Sequence, residues 1–302
     1  MPAQPEATTA TIEFPPVTTH DIASRFVAQT FRVQVMRPGR RRGTRPRYPV
    51  VYVGDANWQF DMFKEISYLI QLSAAEAPPF VLVGVGYPGD APHAGSQLRS
   101  RDFTFPGYPE IRRGPSELEG VLYAKDGSKS LYGADDFLQF LEHELTPMID
   151  REYDTIPDDR TYFGHSAGGG FGIYTLFTRP HLFKNYISSS PGLTYHGEAP
   201  GGASYDDYEF VLDDARRFIA SGTRLDGKRL YISVGSGEES QSGFENWRLT
   251  SSVDRFAALL KEAAIPGLEL TVEKFPGETH FTVLPIAFIH GVQTVFGTRT
   301  VT

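Results

Sequence analysis

The sequence predicts a single doubly wound α/β domain, and three observations support this prediction. The runs Pro49–Val53 and Phe80–Gly86 are apolar without polar alternation, which is typical of parallel strands covered by helices on both faces. Segments with apolar residues at helical spacing separate such strands. This alternation continues from residue 49 to residue 297, and it predicts a mostly parallel sheet with helices on both faces.

Each element follows from its local pattern. Residues 1–20 begin with a stretch rich in Pro, Ala and Thr, and we expect them to form a flexible N-terminal arm. Phe31, Val33 and Val35 alternate with polar residues, which predicts an edge strand. The remaining predicted elements are, in chain order, a helix containing Met62, Phe63, Ile66, Leu69 and Ile70, a helix over Phe137–Ile149, strand Arg160–Phe163, helix Ala167–Thr178, strands Phe183–Ser189 and Arg229–Val234, helix Trp247–Lys261, strand Leu268–Phe275 and helix Phe281–Phe296.

Two long segments, 87–132 and 191–208, do not fit the alternation. Both contain several Gly and Pro residues, and we interpret them as loop insertions in one domain that covers residues 21–302. Both follow predicted strands, and ligands of open α/β sheets bind at the carboxyl ends of the strands. Long loops in a compact domain are usually functional, so we expect these two segments to surround a binding site.

Composition restricts the class of protein. The chain has 302 residues, a formal net charge of −8 and no cysteine. The lack of cysteine excludes disulfides, thiolate metal sites and a cysteine nucleophile, and we expect neither a metal nor a cofactor. The acidic balance argues against a nucleic-acid partner. Six arginines lie between Arg37 and Arg47; a solvated loop is the favoured interpretation, and contact with an anionic surface is the alternative.

The location of the protein is predicted from what the sequence lacks. No apolar stretch approaches the roughly 20 residues that span a membrane. The N-terminus has neither the basic segment nor the apolar core of a signal peptide. The sequence as it stands predicts a cytoplasmic location. A secretion signal removed upstream of this sequence is the alternative. The sequence does not predict the oligomeric state.

The most specific motif is Gly164–His165–Ser166–Ala167–Gly168, which matches G-x-S-x-G between a predicted strand and a predicted helix. In that context the serine lies on a sharp turn that raises its hydroxyl above the sheet. The amide of Ala167 then points to where an oxyanion would form. A glycine-rich loop with an incidental serine is the alternative, and the flanking strand and helix favour Ser166 as a nucleophile.

A serine nucleophile needs a base and an acid. His280 lies in the loop between the last predicted strand and the last helix, where the chain order serine, acid, histidine places the base. Glu238 and Glu239 follow the strand before the Trp247 helix. We favour Glu238 as the acid because it comes first after the glycine turn. Glu239 is the alternative, and solvated loop charges with no catalytic role are a further one.

Three residues near these groups complete the predicted site. The loop after Pro49–Val53 would provide the second oxyanion amide near Asn57. Trp58, next in the chain, is interpreted either as an apolar wall of the site or as a core residue. His165 occupies the variable position of the motif, and we expect it to support the serine and to be one of the substrate contacts.

Six motifs resemble a known family. The "Putative esterase" family includes enterochelin-type siderophore esterases, S-formylglutathione hydrolases, feruloyl esterases and mycolyltransferases. The resembling segments are Tyr48–Asn57, Arg99–Thr104, Gly164–Gly169, Phe183–Pro191, Val234–Glu238 and Gly277–Phe281. The resemblance implies an α/β-hydrolase fold, with Ser166, Glu238 and His280 as the catalytic triad and a second oxyanion amide near Asn57. Arg99–Thr104 together with the serine motif is most similar to the siderophore-esterase branch.

The sequence therefore predicts a cofactor-free serine esterase that acts on a small-molecule ester, such as a siderophore trilactone or another bulky ester. Arg99, Arg101 and Phe103, in the first long loop, are the candidate substrate contacts, although Arg101 has Asp102 beside it as a possible ion-pair partner. Six basic and six acidic residues balance over 88–132, which weakens the prediction of a strongly anionic substrate. Acyl transfer to an alcohol and a non-catalytic binding protein are the alternative functions.

Overall fold

The computed structural model describes residues 16–38, 47–89, 96–107, 132–198 and 204–300. Within these ranges the chain forms one eight-stranded sheet and one two-stranded hairpin. The sheet order is β1-β2-β4-β3-β5-β6-β9-β10, with the hairpin formed by β7 and β8. The strands are β1 Val17–Ala23, β2 Thr30–Met36, β3 Tyr48–Val53, β4 Val81–Gly86, β5 Thr155–His165, β6 Asn185–Ser189, β7 Tyr195–Glu198, β8 Ser204–Tyr208, β9 Lys228–Gly235 and β10 Leu268–Phe275.

Helices connect these strands. They are α1 Ala56–Ile70, α2 Ser96–Asp102, α3 Ala134–Phe140, α4 Thr146–Glu152, α5 Ala167–Thr178, α6 Phe210–Ala220, α7 Leu249–Ala263 and α8 Leu284–Val295. A π-helical turn over Leu141–Leu145 joins α3 to α4. Short 3₁₀ turns over Glu238–Ser240 and Glu245–Trp247 precede α7.

The sheet is parallel from β4 to β10 and antiparallel only at β1 and β2. Alternate residues of a strand point to opposite faces, and both faces of β3 are buried. Val50 and Tyr52 belong to the core that packs against α3, α5, α6 and α7. Val51 and Val53 belong to the core beneath α1 and α8. The predicted doubly wound α/β fold is confirmed.

The structure differs from the sequence prediction at the N-terminal end and in the second loop. Residues 17–20, assigned to the flexible arm, lie in β1, which pairs along β2 from Val17 to Ala23. The strand at Phe31 is therefore second in the sheet and not at its edge. In the segment 191–208, β7 and β8 form a hairpin, and α6, which apolar spacing did not predict, follows it.

Several sequence predictions lie outside the described residues. They concern the arm over 1–15, the arginines at 40, 41, 42 and 45, the loop residues 108–131 and the segment 199–203. In the described part of the first loop, Ser96–Asp102 forms the short helix α2. Nowhere in the described ranges does a helix combine the length and the apolar character needed to cross a membrane.

Candidate active site

Ser166 lies on a sharp turn between the end of β5 and the start of α5. Its backbone has φ 58° and ψ −122°, a conformation that a non-glycine residue adopts only when its surroundings hold it there. Gly164 is required because a Cβ there would lie 2.1 Å from the carbonyl oxygen of Gly168. The amide of Ser166 donates to the carbonyl of Ser189 at 2.9 Å, which fixes the turn to the neighbouring strand β6.

Ala167 begins α5 directly after the serine. The first amides of a helix have no intrahelical acceptor and carry the positive end of the helix dipole. The Ala167 N–H therefore lies at the helix end where the motif places an oxyanion donor, and its role as that donor stays a prediction.

His280 and Glu238 form a buried pair at the same edge of the sheet. His280 Nδ1 lies 2.8 Å from Glu238 Oε2, and the two side chains are 2% and 0% exposed. A carboxylate only accepts hydrogen bonds, so Nδ1 carries the proton and the neutral ring keeps Nε2 as its basic nitrogen. The amide of His280 also donates to Gln241 Oε1 at 2.8 Å, which holds the loop that carries the histidine.

The second carboxylate oxygen of Glu238 has two donors. Ser190 Oγ and the amide of Gly235 each donate to Oε1 at 2.6 Å. Glu239, by contrast, accepts hydrogen bonds from the amide and the hydroxyl of Ser251 in the first turn of α7. The structure thus brings Glu238, and not Glu239, into contact with His280.

His165 lies beside the base. Its ring centroid is 4.4 Å from that of His280, and its Nδ1 lies 3.1 Å from Ser189 Oγ. Burial, followed by the neighbouring His280 and Arg99, holds the pKa of His165 well below its usual value. His165 is therefore a neutral packing partner of the His280 ring, and its burial does not support the predicted contact with substrate.

The loop after β3 approaches the serine from the other side. Asp55, which precedes α1, has a left-handed backbone with φ 53°. Asn57 lies in the first turn of α1, and its side chain bonds both the amide and the carbonyl of Tyr87 at 2.8 Å. The amide of Gly54 donates to the carbonyl of Phe163 at 3.3 Å. These contacts hold the first turn of α1 next to the end of β5, where the Asn57 amide was predicted to act.

The predicted substrate contacts in α2 and directly after it have partners within the fold. Arg99 forms a bidentate ion pair with Asp55, with Nε–Oδ1 and Nη2–Oδ2 distances of 2.6 and 2.9 Å. Arg101 pairs with Asp102 at 2.6 Å, and both side chains are buried. Phe103 is also buried and packs against other phenylalanines. The contacts that the structure gives these three residues are thus with other parts of the protein, and their role in substrate binding stays a prediction.

Aromatic side chains form the accessible border of the site. Trp58 is 45% exposed, which favours the apolar-wall interpretation over core packing. Phe244 places its ring centroid 4.1 Å from that of His280, and Phe281, next to the base, is 61% exposed. We call these three residues the aromatic border.

Sequence reasoning missed four residues that hold this arrangement. Asp55 and Ser190 lie within motifs that carried the resemblance. The motifs singled out their positions but did not predict their contacts. Gln241 and Phe244 follow the acid in a segment without a distinctive pattern. Their contacts with His280 depend on the approach of two loops that are about 40 residues apart in the chain.

Known proteins share this fold. A siderophore hydrolase from Aspergillus nidulans, EstA, superposes with a TM-score of 0.75 at 21% identity, over 97% of this chain and all of that chain. Such a likeness supports the α/β-hydrolase fold, which the sheet order and the serine turn define here.

Sequence relatives identify the family. The model of the "Putative esterase" family matches residues 113–292. The ferri-bacillibactin esterase BesA of Bacillus subtilis is 31% identical over 242 residues, 79% of this chain and 75% of that protein. The siderophore triacetylfusarinine C esterase of Aspergillus fumigatus is 29% identical over 265 residues, 82% of this chain and 81% of that protein. The chain belongs to the "Putative esterase" family and is an esterase, as its motifs predicted.

Proposed function

We propose that this esterase hydrolyses the ester bonds of a siderophore through Ser166, His280 and Glu238. The observation that carries the mechanism is the buried 2.8 Å bond between His280 and Glu238. It is supported by the strained strand-to-helix turn at Ser166 and by the 4.4 Å separation between the rings of His280 and His165, the residue before that serine. The names of two relatives support the substrate class, since one is a ferri-bacillibactin esterase and the other a siderophore triacetylfusarinine C esterase.

The first half of the reaction forms an acyl-enzyme. Ser166 Oγ attacks the ester carbonyl carbon while its proton passes to His280 Nε2. The carbonyl oxygen becomes negative and accepts hydrogen bonds from the amides of Ala167 and Asn57. When the tetrahedral intermediate collapses, the ester C–O bond breaks and His280 returns the proton to the leaving alkoxide, which departs as an alcohol.

The second half repeats these steps with water. His280 takes a proton from the water as its oxygen attacks the acyl carbon, and the second tetrahedral intermediate releases the carboxylic acid and restores the Ser166 hydroxyl. Glu238 stays ionised throughout. Its role is to hold the ring with Nε2 towards the serine and to stabilise the imidazolium formed in each half.

One experiment tests the mechanism. Wild type and Ser166→Ala are compared for fluorophosphonate labelling and for turnover of a small aryl acetate. The alanine variant should not be labelled and should lose on the order of 10³–10⁶ in kcat. Ser240→Ala, on an exposed turn near the site, is the matched control for loss of a hydroxyl. Activity of Ser166→Ala within tenfold of wild type would remove Ser166 from the mechanism.

A second experiment tests the substrate class. Catecholate and hydroxamate siderophore esters, each with and without iron, are compared by kcat/KM with feruloyl esters and S-formylglutathione. A siderophore ester should have the highest kcat/KM by at least tenfold. An alcohol acceptor added to the same assay distinguishes hydrolysis from acyl transfer by its products. A higher kcat/KM for a feruloyl or glutathione ester would contradict the proposed substrate while leaving the mechanism intact.

A further inference from the structure

The ion pair between Arg99 and Asp55 connects the two helix ends that carry the proposed oxyanion donors. Asp55 ends the turn from which α1 starts, and its carbonyl accepts from the amide of Trp58. Its carboxylate also reaches the first turn of α5, because Oδ2 lies 3.7 Å from the position that a Cβ on Gly168 would occupy. One carboxylate therefore lies between the first turns of α1 and α5.

Arg99 fits this carboxylate as a positioning group. The two side chains are 11% and 4% exposed, and the paired N–H groups of a guanidinium fix the orientation of a carboxylate, which a single point charge does not. The guanidinium carbon lies 5.4 Å from the ring centroid of Trp58 and 5.3 Å from that of Phe103. Phe103 in turn packs against Gly54 and Gly168. The Arg99 guanidinium is therefore held between two rings that lie beside the turn before α1 and the first turn of α5.

The ion pair also controls charge at the site. An ionised Asp55 beside Gly168 would repel a negative oxygen formed at Ser166. Arg99 neutralises that carboxylate and prevents the repulsion. The same ion pair limits how strongly Arg99 can bind an anionic substrate. Its paired N–H groups already donate to Asp55, and the Asp55 carboxylate already balances most of its positive charge.

We infer that Arg99 and Asp55 are positioning residues for the oxyanion site: they hold the Asn57 amide in place, and Arg99 cancels the Asp55 charge beside the developing oxyanion. This inference rests on the proposed function, since it assumes that an oxyanion forms at Ser166. It assigns Arg99 a role in every turnover and not in the choice of substrate.

The first test compares a small and a bulky ester. Arg99→Ala should lower kcat on both a small aryl acetate and a siderophore ester, by about 10- to 100-fold, which is below the roughly 10²–10³-fold loss of an oxyanion donor itself. KM should change by less than about threefold on both. The affinity of an aryl boronic acid, whose tetrahedral adduct places an oxygen at the oxyanion position, should fall in parallel with kcat/KM.

Two further variants separate positioning from folding. Low, non-denaturing guanidinium should restore part of the kcat of Arg99→Ala without changing its Tm. Arg99→Lys, which keeps the charge and loses the paired geometry, should have an intermediate kcat. Arg160→Ala is the matched control, because Arg160, in the middle of β5, pairs with Asp150 in a similarly shielded ion pair. It should lower Tm and leave kcat unchanged.

The double variant tests the effect of the Asp55 charge. Arg99→Ala/Asp55→Asn removes the unpaired carboxylate, so it should be more active than Arg99→Ala alone. Two independent losses would instead multiply. If Asp55→Asn worsens Arg99→Ala, or if Arg99→Ala impairs only the siderophore ester and acts through KM, the inference is wrong. In either case Ser166→Ala would still be inactive, so the proposed function would stand.

Discussion

Ser190 Oγ donates a 2.6 Å hydrogen bond to Glu238 Oε1 from a backbone held in the left-handed region at φ 46°. The preceding residue, Ser189, accepts the backbone N–H of Ser166. The peptide that follows β6 thus joins the proposed nucleophile to the proposed acid, and through that acid to His280. The relative positions of the three groups depend on this corner of the chain.

Removing the Ser190 hydroxyl should therefore impair catalysis. A hydrogen bond to a charged group is worth roughly 1.5–3 kcal/mol, and Glu238 would keep Gly235 as its other donor to Oε1. We expect Ser190→Ala to lower kcat on a small aryl acetate by about tenfold with little change in KM. Ser190→Gly is the companion variant, because glycine tolerates a positive φ. A similar loss in both variants would assign the effect to the hydroxyl, whereas recovery in the glycine variant would assign it to backbone strain.

The two adjacent glutamates should respond differently to substitution. Glu238→Gln keeps the shape of the side chain and removes the charge that stabilises the His280 imidazolium, and a comparable change in a known triad lowers kcat by about 10⁴. Glu239→Gln should keep most of the activity and lower Tm, because Glu239 bonds to Ser251 at the start of α7. Steady-state kinetics and thermal unfolding of the two variants measure this difference. A larger loss of kcat in Glu239→Gln would contradict the pairing with His280.

Acidification should destabilise the fold through His165. Its pKa is depressed by burial and by the nearby His280 and Arg99, whereas in the unfolded chain a histidine titrates near 6.5. Below that pH the unfolded state binds a proton that the folded state does not, so stability falls as pH falls from about 6.5 towards the lower folded pKa. The slope contributed by one such group is at most about 1.4 kcal/mol per pH unit.

Urea unfolding at a series of pH values checks this contribution. His165→Asn should show a shallower decline of the unfolding free energy below pH 6.5 than wild type, whatever its stability at neutral pH. His196→Asn, on the hairpin of β7 and β8, is the control for removing one histidine from the chain. Parallel curves for wild type and His165→Asn would show that His165 does not cause the acid sensitivity.

Much of the fold could be predicted because its elements have strong local patterns. The buried strand at Pro49–Val53 and the helix Ala167–Thr178 appear in the structure at nearly the expected bounds. The hairpin was missed because it lies within a segment of Gly, Pro and Tyr whose pattern resembles a loop, and α6 follows that segment closely. Short motifs also marked the residues of the site, since a strand-to-helix turn restricts its own sequence.

The partners of those residues could not be predicted, because they come from distant parts of the chain. Arg99 and Asp55 are 44 residues apart, and Ser190 and Glu238 are 48 apart. A sequence with an arginine in a long loop is compatible with either substrate contact or an internal ion pair. Only the folded arrangement, which buries Arg99 against Asp55, distinguishes between these two interpretations.

The aromatic border should contribute to substrate binding. Trp58 leaves nearly half of its surface exposed at the start of α1, and Arg99 lies over its ring. An exposed indole beside the proposed oxyanion site can stack on an aromatic acyl group, and aromatic pairs contribute about 0.5–1.5 kcal/mol beyond their buried area. Trp58→Ala should therefore raise KM for an aromatic acyl ester by about 3- to 10-fold, with a smaller effect on an acetate ester of the same alcohol.

The control for this last prediction lies on the same helix. Leu69 is 63% exposed near the far end of α1, so Leu69→Ala removes an exposed apolar side chain without approaching the site. Its KM values should match wild type for both esters. Because Trp58 also covers Arg99, kcat on the acetate ester is the second readout. A fall in kcat on both esters, with KM unchanged, would show that Trp58 acts by supporting the ion pair and not by contacting the acyl group.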